Sequence, residues 1–149
     1  MATQPIPAGF HTITPYLMVT QGARFIEFMQ AAFGAEIKHV SKSPDGLIMH
    51  ASLLIGDSML MLSDARGNWQ PQAASFYLYV PNVDESYRRA KSAGAETVNE
   101  PRDEFYGDRM AGVKDFLGNT WWIATHVEDV SEEELRIRQQ KLFGKTSPS

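Results

Sequence analysis

Few residues in this chain are equipped for chemistry, and their spacing decides which chemistry is open to them. His50, Glu104, Tyr106, Arg109 and His126 can carry charge or pass a proton, and no cysteine joins them. A disulfide or a thiolate metal ligand is therefore excluded. His50 falls in a strand pattern, on the same face as Ser52 if side chains alternate. A single strand histidine of this kind is either a hydrogen-bonded wall residue or a functional group. His126 shares its parity with Trp122 but stands at a strand end, where water competes for it. His11 and His39 have no recognisable partners and read as surface residues. The stretch Glu104-Phe105-Tyr106-Gly107-Asp108-Arg109 places two acids, a phenol and a guanidinium within six residues. An arginine–carboxylate pair there fixes a loop; the alternative is that Arg109 or Tyr106 meets an anionic or hydroxylated ligand. The candidates for a catalytic role are His50, Glu104 and Arg109. No nucleophile–base spacing and no phosphate-cradling glycine loop is present.

The whole chain bounds what these residues can serve. At 149 residues it reads as one domain, 1–149, long enough to bury a core. A net charge of −4, with bases scattered among acids, argues against nucleic-acid binding. No apolar run is long enough to cross a bilayer, and the start lacks the pattern of a secretory signal. A cytoplasmic protein with no membrane partner is the expectation.

Periodicity then supplies the elements that must position the chemistry. Thr12–Val19 reads as a strand with Pro15 at its start or edge. Phe25, Phe28, Met29, Ala32 and Phe33 form the stripe of a helix over 21–33, stopped by Gly34. Strands follow at 36–40, 48–55 and 58–62, the last two joined at Gly56-Asp57. Asp64–Ala74 is a polar connection. Ser75–Val80 is a strand, and Asn82 with Glu85 starts a helix whose inner face carries Val83, Tyr87 and Ala90. A short strand over 96–99 precedes the Glu104–Arg109 loop. Gly118-Asn119 between apolar runs predicts a two-residue hairpin turn with positive φ. Ser131 with Glu134 caps a last helix over 131–143, with a thin apolar face of Leu135, Leu142 and Phe143 that packs on the domain or on a partner subunit.

The pattern β-α-β-β-β occurs twice. Val19 matches Val80, Gly34-Ala35-Glu36 matches Gly94-Ala95-Glu96, and Ile55-Gly56-Asp57-Ser58 matches Leu117-Gly118-Asn119-Thr120, all at separations of 60 to 62 residues. Two fused modules, 12–64 and 75–126, are therefore expected, followed by the helical tail 131–143. Each module alone would leave a sheet face bare, so the two must pack together.

The duplicated βαβββ pattern resembles the vicinal-oxygen-chelate superfamily, which includes glyoxalase I, bleomycin-resistance proteins and extradiol dioxygenases. Ile13-Thr14-Pro15-Tyr16-Leu17, Phe33-Gly34-Ala35-Glu36, Ile55-Gly56-Asp57-Ser58, Phe105-Tyr106-Gly107-Asp108-Arg109 and the ending Thr120–His126 are similar to its PhnB-like branch. The resemblance implies an α+β fold: two tandem modules forming a curled mixed sheet around a cavity, often completed in a homodimer. Enzymes of the superfamily hold one divalent metal ion on the first and last strands of each module. Carried onto this chain, those positions are Thr14, Ser75, Trp122, and Leu60 or, with a shift of one, Met61. None is a usual ligand, so no metal is expected and no cofactor. On the same analogy Trp122 lines the cavity while Trp121 packs in the core, and Tyr16, Met18, Tyr77 and Tyr79 face inward.

These implications lead to a small-molecule binding protein without the usual metal ligands. Its ligand would be a small aromatic or apolar molecule, met by Tyr16, His50, Tyr77, Tyr79, Tyr106, Arg109 and Trp122. One alternative is a metal-dependent lyase, isomerase or dioxygenase drawing on His50, Glu104 and His126. Another is a ligand-free scaffold dimer whose aromatic residues simply fill a core.

Overall fold

The computed structural model describes residues 2–144. The first module comprises β1 (Tyr16–Val19), α1 (Gly22–Phe33), β2 (Glu36–Lys42), β3 (Ile48–Ile55) and β4 (Ser58–Asp64). The second comprises β5 (Ser75–Tyr79), α2 (Val83–Ser92), β6 (Glu96–Asp103), β7 (Asp108–Lys114) and β8 (Thr120–His126), and α3 (Glu132–Phe143) follows. Each module forms one mixed four-stranded sheet, ordered β1-β4-β3-β2 and β5-β8-β7-β6. The first strand of each lies parallel to the last, and the other pairs are antiparallel. The repeat read from the sequence is thus a repeat of topology.

The register shows how close the duplication is. Tyr16 stands opposite Met61 and Tyr77 opposite Trp122, so Met61, not Leu60, is the counterpart of Trp122. Helix entry is duplicated too, with different chemistry. The buried Asp64 carboxylate accepts from the amides of Gly22 (2.7 Å) and Ile48 (2.8 Å). In the second module Thr125 accepts from the Val83 amide at 2.9 Å. Both satisfy an amide at the start of a helix, which has no partner within the helix. Asp64 therefore closes β4 rather than opening the connection, as its polarity had suggested.

Alternation along the strands separates two faces. Leu17 and Val19, Leu60 and Leu62, Ala111 and Val113, and Trp121 and Ile123 are buried toward the helices. α1 contributes Phe25, Phe28, Met29 and Ala32, the stripe its spacing predicts, and Gly34 ends it at φ 67°. Burying each large member of that stripe stabilises by roughly 1.5–3 kcal/mol. Trp121 joins the modules: its ring stacks on Phe76 at 4.3 Å and meets Phe33 and Phe25 of α1 at 4.7 and 6.5 Å. Among the described residues no helix packs on the opposite face of either sheet.

Two local expectations are corrected. The β7–β8 connection is five residues, because Lys114 and Thr120 are the last pair. Within this connection only Gly118 has positive φ (87°). The buried Asp115 builds the loop, accepting from the amides of Leu117 (2.9 Å) and Asn119 (3.0 Å), the Asn119 side chain (3.0 Å) and the Trp121 indole (2.9 Å). The strand expected over 96–99 continues to Asp103. Pro101 is tolerated because β6 is an edge strand and its register with β7 is broken between Asn99 and Arg102.

Candidate functional site

The open face of the second module gathers more polar chemistry than any single motif announced. Asp108 begins β7, and the residue is 3% exposed. It lies opposite His126 in the ladder, and β5 runs along the other side of β8. Four strand positions of one parity therefore converge. The Tyr77 and Tyr79 hydroxyls both donate to Asp108 Oδ2, at 2.8 and 2.9 Å. His126 Nδ1 lies 2.8 Å from Asp108 Oδ1, and its Nε2 lies 2.8 Å from Asp129 Oδ1. The Tyr106 hydroxyl joins at 3.2 Å from that of Tyr77.

The protonation states follow from these contacts. Burial alone pushes the Asp108 carboxyl up, but hydrogen bonds from His126, Tyr77 and Tyr79 outweigh it and hold the group below the usual range. His126 is raised by its bonds to Asp108 and Asp129. Tyr77 is raised by burial and then by its phenol and carboxylate neighbours, and Tyr79 by its bond to Asp108. The site is thus an anionic carboxylate holding two neutral phenols and a ring favoured as imidazolium. Each phenol gives its proton to Asp108 and keeps a lone pair for a donor on a ligand.

Trp122 supplies the apolar part. A Cβ at Gly112 would lie 2.6 Å from the Trp122 ring, so the missing side chain is what lets the indole lie against β7. Trp122 stands opposite Tyr77 in the β5–β8 ladder and so shares a sheet face with Tyr77 and Tyr79, whose ring centroids are 5.3 Å apart; these rings are the aromatic floor of that face. The two tyrosines are 44% and 61% exposed, so the floor is open on its outer side.

The remaining predicted residues divide between two places. Tyr16 and His50 lie together on the first module, with Tyr16 Oη 3.4 Å from His50 Nδ1, and His50 Nε2 reaches Ser52 at 3.2 Å. Arg109 leaves the predicted constellation. It points to the helix side and grips Asp84 of α2 through two bonds of 2.9 and 3.0 Å, with Asp103 at 3.3 Å. Asp108 and Arg109 open a strand instead of ending a loop, and neighbouring strand residues face opposite ways. Glu104 is held by Arg102 at 2.7 Å. Asp108 and Asp129 are the groups that sequence reasoning passed over. The signal for Asp108 was its place in the Phe105–Arg109 string, and pairing it with His126 required the register.

The metal positions that the resemblance implies have surroundings of another kind. Thr14 borders a cleft between the modules, Ser75 opens β5 opposite Thr120, and Met61 and Trp122 lie on the open faces. Two hydroxyls, a thioether and an indole that can only donate do not make a divalent-cation site. Among the described residues no group of three or more His, Asp or Glu is arranged to hold an ion.

Two tandem βαβββ modules with their helices on one side define a glyoxalase/bleomycin-resistance fold. The sequence profile of the Glyoxalase/Bleomycin resistance protein/Dioxygenase superfamily matches residues 9–123, and the chain belongs to that superfamily. An uncharacterised protein of Mycobacterium bovis is 30% identical over 135 residues, covering 83% of this chain and 89% of the relative. Among solved structures, TioX from Micromonospora sp. ML1 superposes with a TM-score of 0.68 at 23% identity, covering 78% of this chain and 99% of that one. The PhnB protein of Bacillus cereus gives 0.62 at 17% identity, with 77% and 99% covered. The fosfomycin resistance protein FosX of Listeria monocytogenes gives 0.60 at 20% identity, with 84% and 97% covered. Among the described residues no helix is long and apolar enough to cross a membrane.

Proposed function

We propose that this protein binds a flat, largely apolar small molecule on the open face of its second module, without a divalent metal. The observation that carries the reading is the union of the Asp108 knot with the Trp122 platform. Two phenols are locked by one buried carboxylate, so the aromatic floor loses little freedom when a ligand arrives. The indole and phenol rings offer stacking, and the phenol oxygens offer a few oriented polar contacts, the usual composition of a ligand site.

A second copy of the chain is the proposed cover. Tyr16, Tyr77 and Tyr79 are about half exposed in the single chain, and a homodimer would shelter them. We place the protein beside the PhnB-like branch, on the quoted residue strings and the shared fold. For the metal-dependent alternative, His50, Glu104 and His126 are each tied into separate contacts, and no observation favours it.

The test is a panel of flat aromatic molecules titrated against the protein and its Trp122→Ala variant. Loss of one stacking partner should weaken a bound member about tenfold, the effect of roughly 1.4 kcal/mol. Equal affinities for both proteins would sink the stacking role.

A further inference from the structure

The first module carries a cleft with different chemistry, on the other module from the face just described. It encloses about 450 Å³ between Tyr16, Met18 and Met49 on the strands and Arg66 and Trp69 on the connection. The register between β2 and β3 shifts between Ser41 and Lys42, so Met49 is an extra residue with no partner. Such a bulge re-aims side chains, and this one turns Met49 toward the cleft.

The connection presents a cation and an indole as a pair. Arg66 and Trp69 form an antiparallel bridge, with the Trp69 amide donating to the Arg66 carbonyl at 3.0 Å. Gly67, at φ 58°, makes the turn between them. Residues paired across a bridge project to the same side, and both side chains border the cleft. Trp69 is 67% exposed.

Arg66 differs from the other arginines on polar sites. Arg109 and Arg138 are each held by a carboxylate through two bonds of 3.0 Å or less. Arg66 has a serine hydroxyl, Ser43, at 2.9 Å and a looser Asp45 at 3.9 Å. Both contacts fall on Nη2, so one edge of the planar fork remains open to an oxyanion. The carboxylate bordering the cleft is Asp64, and both its oxygens are already occupied by backbone amides.

We infer that this cleft binds a planar aromatic oxyanion. Its ring packs against Trp69, Tyr16 and the methionine thioethers, which adapt to flat surfaces. Its carboxylate, or an equivalent acid group, pairs with Arg66.

The probes are 2-naphthoate and its neutral analogue 2-naphthalenemethanol, titrated by calorimetry against the full chain. The location is read from the tryptophan indole N–H resonances. Naphthoate should bind about tenfold or more tighter than the alcohol, as expected for one charge-assisted pair. It should shift the Trp69 resonance. Arg66→Ala should abolish the preference, Arg66→Lys should keep part of it, and Trp69→Ala should weaken both probes. Equal binding of the two probes, no saturable binding of either, or an unchanged preference in Arg66→Ala overturns the inference. So does a shift confined to the Trp122 resonance, which would put the probe on the other module.

Discussion

Replacing Asp108 by Asn tests the knot at its centre. The amide keeps one oxygen and puts an NH2 group where the other was. With oxygen toward the phenols, Tyr77 and Tyr79 keep an acceptor, but the NH2 faces His126 Nδ1. That contact survives only if the ring gives up its Nδ1 proton and stays protonated at Nε2, toward Asp129. Two charge-assisted bonds become neutral and a third is remade, a loss of about 1 to 3 kcal/mol.

The pH dependence gives the sharper signature. His126 is raised above its ordinary value of 6.5 in the folded chain. Its protonation therefore stabilises fully below 6.5 and is lost as pH rises through the folded value. Asp108 is lowered, so its contribution is present above 3.8 and is lost as pH falls through its folded value. Between these limits the wild type holds both. The stability difference between wild type and Asp108→Asn should thus be largest near pH 6 and shrink at strongly alkaline pH. Urea unfolding at several pH values measures it. A difference that is absent near pH 6, or that grows toward alkaline pH, would refute the charge arrangement.

Asp115→Ala should cost at least about 3 kcal/mol in urea or thermal unfolding, because it strands four donors, among them the buried Trp121 indole. Gly112→Ala should lift Trp122 off β7, changing the near-ultraviolet circular dichroism and costing about 1–3 kcal/mol. Gly107→Ala should cost more, since φ is 102° and a Cβ would meet the Glu128 carbonyl at 2.2 Å; thermal melts of the two variants give the order. The dimer proposal expects sedimentation at twice the chain mass of 16.7 kDa, and a monomer at working concentrations would contradict it.

The architecture was legible because it rests on periodicity and repetition. The α1 stripe, the strand alternation that buries Trp121 and turns Trp122 outward, and the two N-caps at Asn82 and Ser131 are all short-range patterns. The site was only half legible. Parity gave the faces of Tyr77 and Tyr79 and set His126 on the same face as Trp122, since parity fixes a face. Asp108 was not, because a polar string flanked by Gly107 reads as a loop until the register with β8 is known. Arg109 was misplaced for the same reason: the strand begins two residues earlier than expected, at Asp108, and alternation then puts Arg109 on the face opposite Asp108. The hairpin was misread because Gly-Asn signals a two-residue turn, whereas the buried Asp115 builds a longer one.

The most direct measurement is a structure of the protein with a bound ligand from the flat aromatic panel, purified without chelator. A ring is expected against Trp122 and the Tyr77–Tyr79 pair, with a ligand donor on a phenol oxygen and no metal between ligand and protein. A ligand held elsewhere, or one held through a cation bound by His50 or His126, would contradict it.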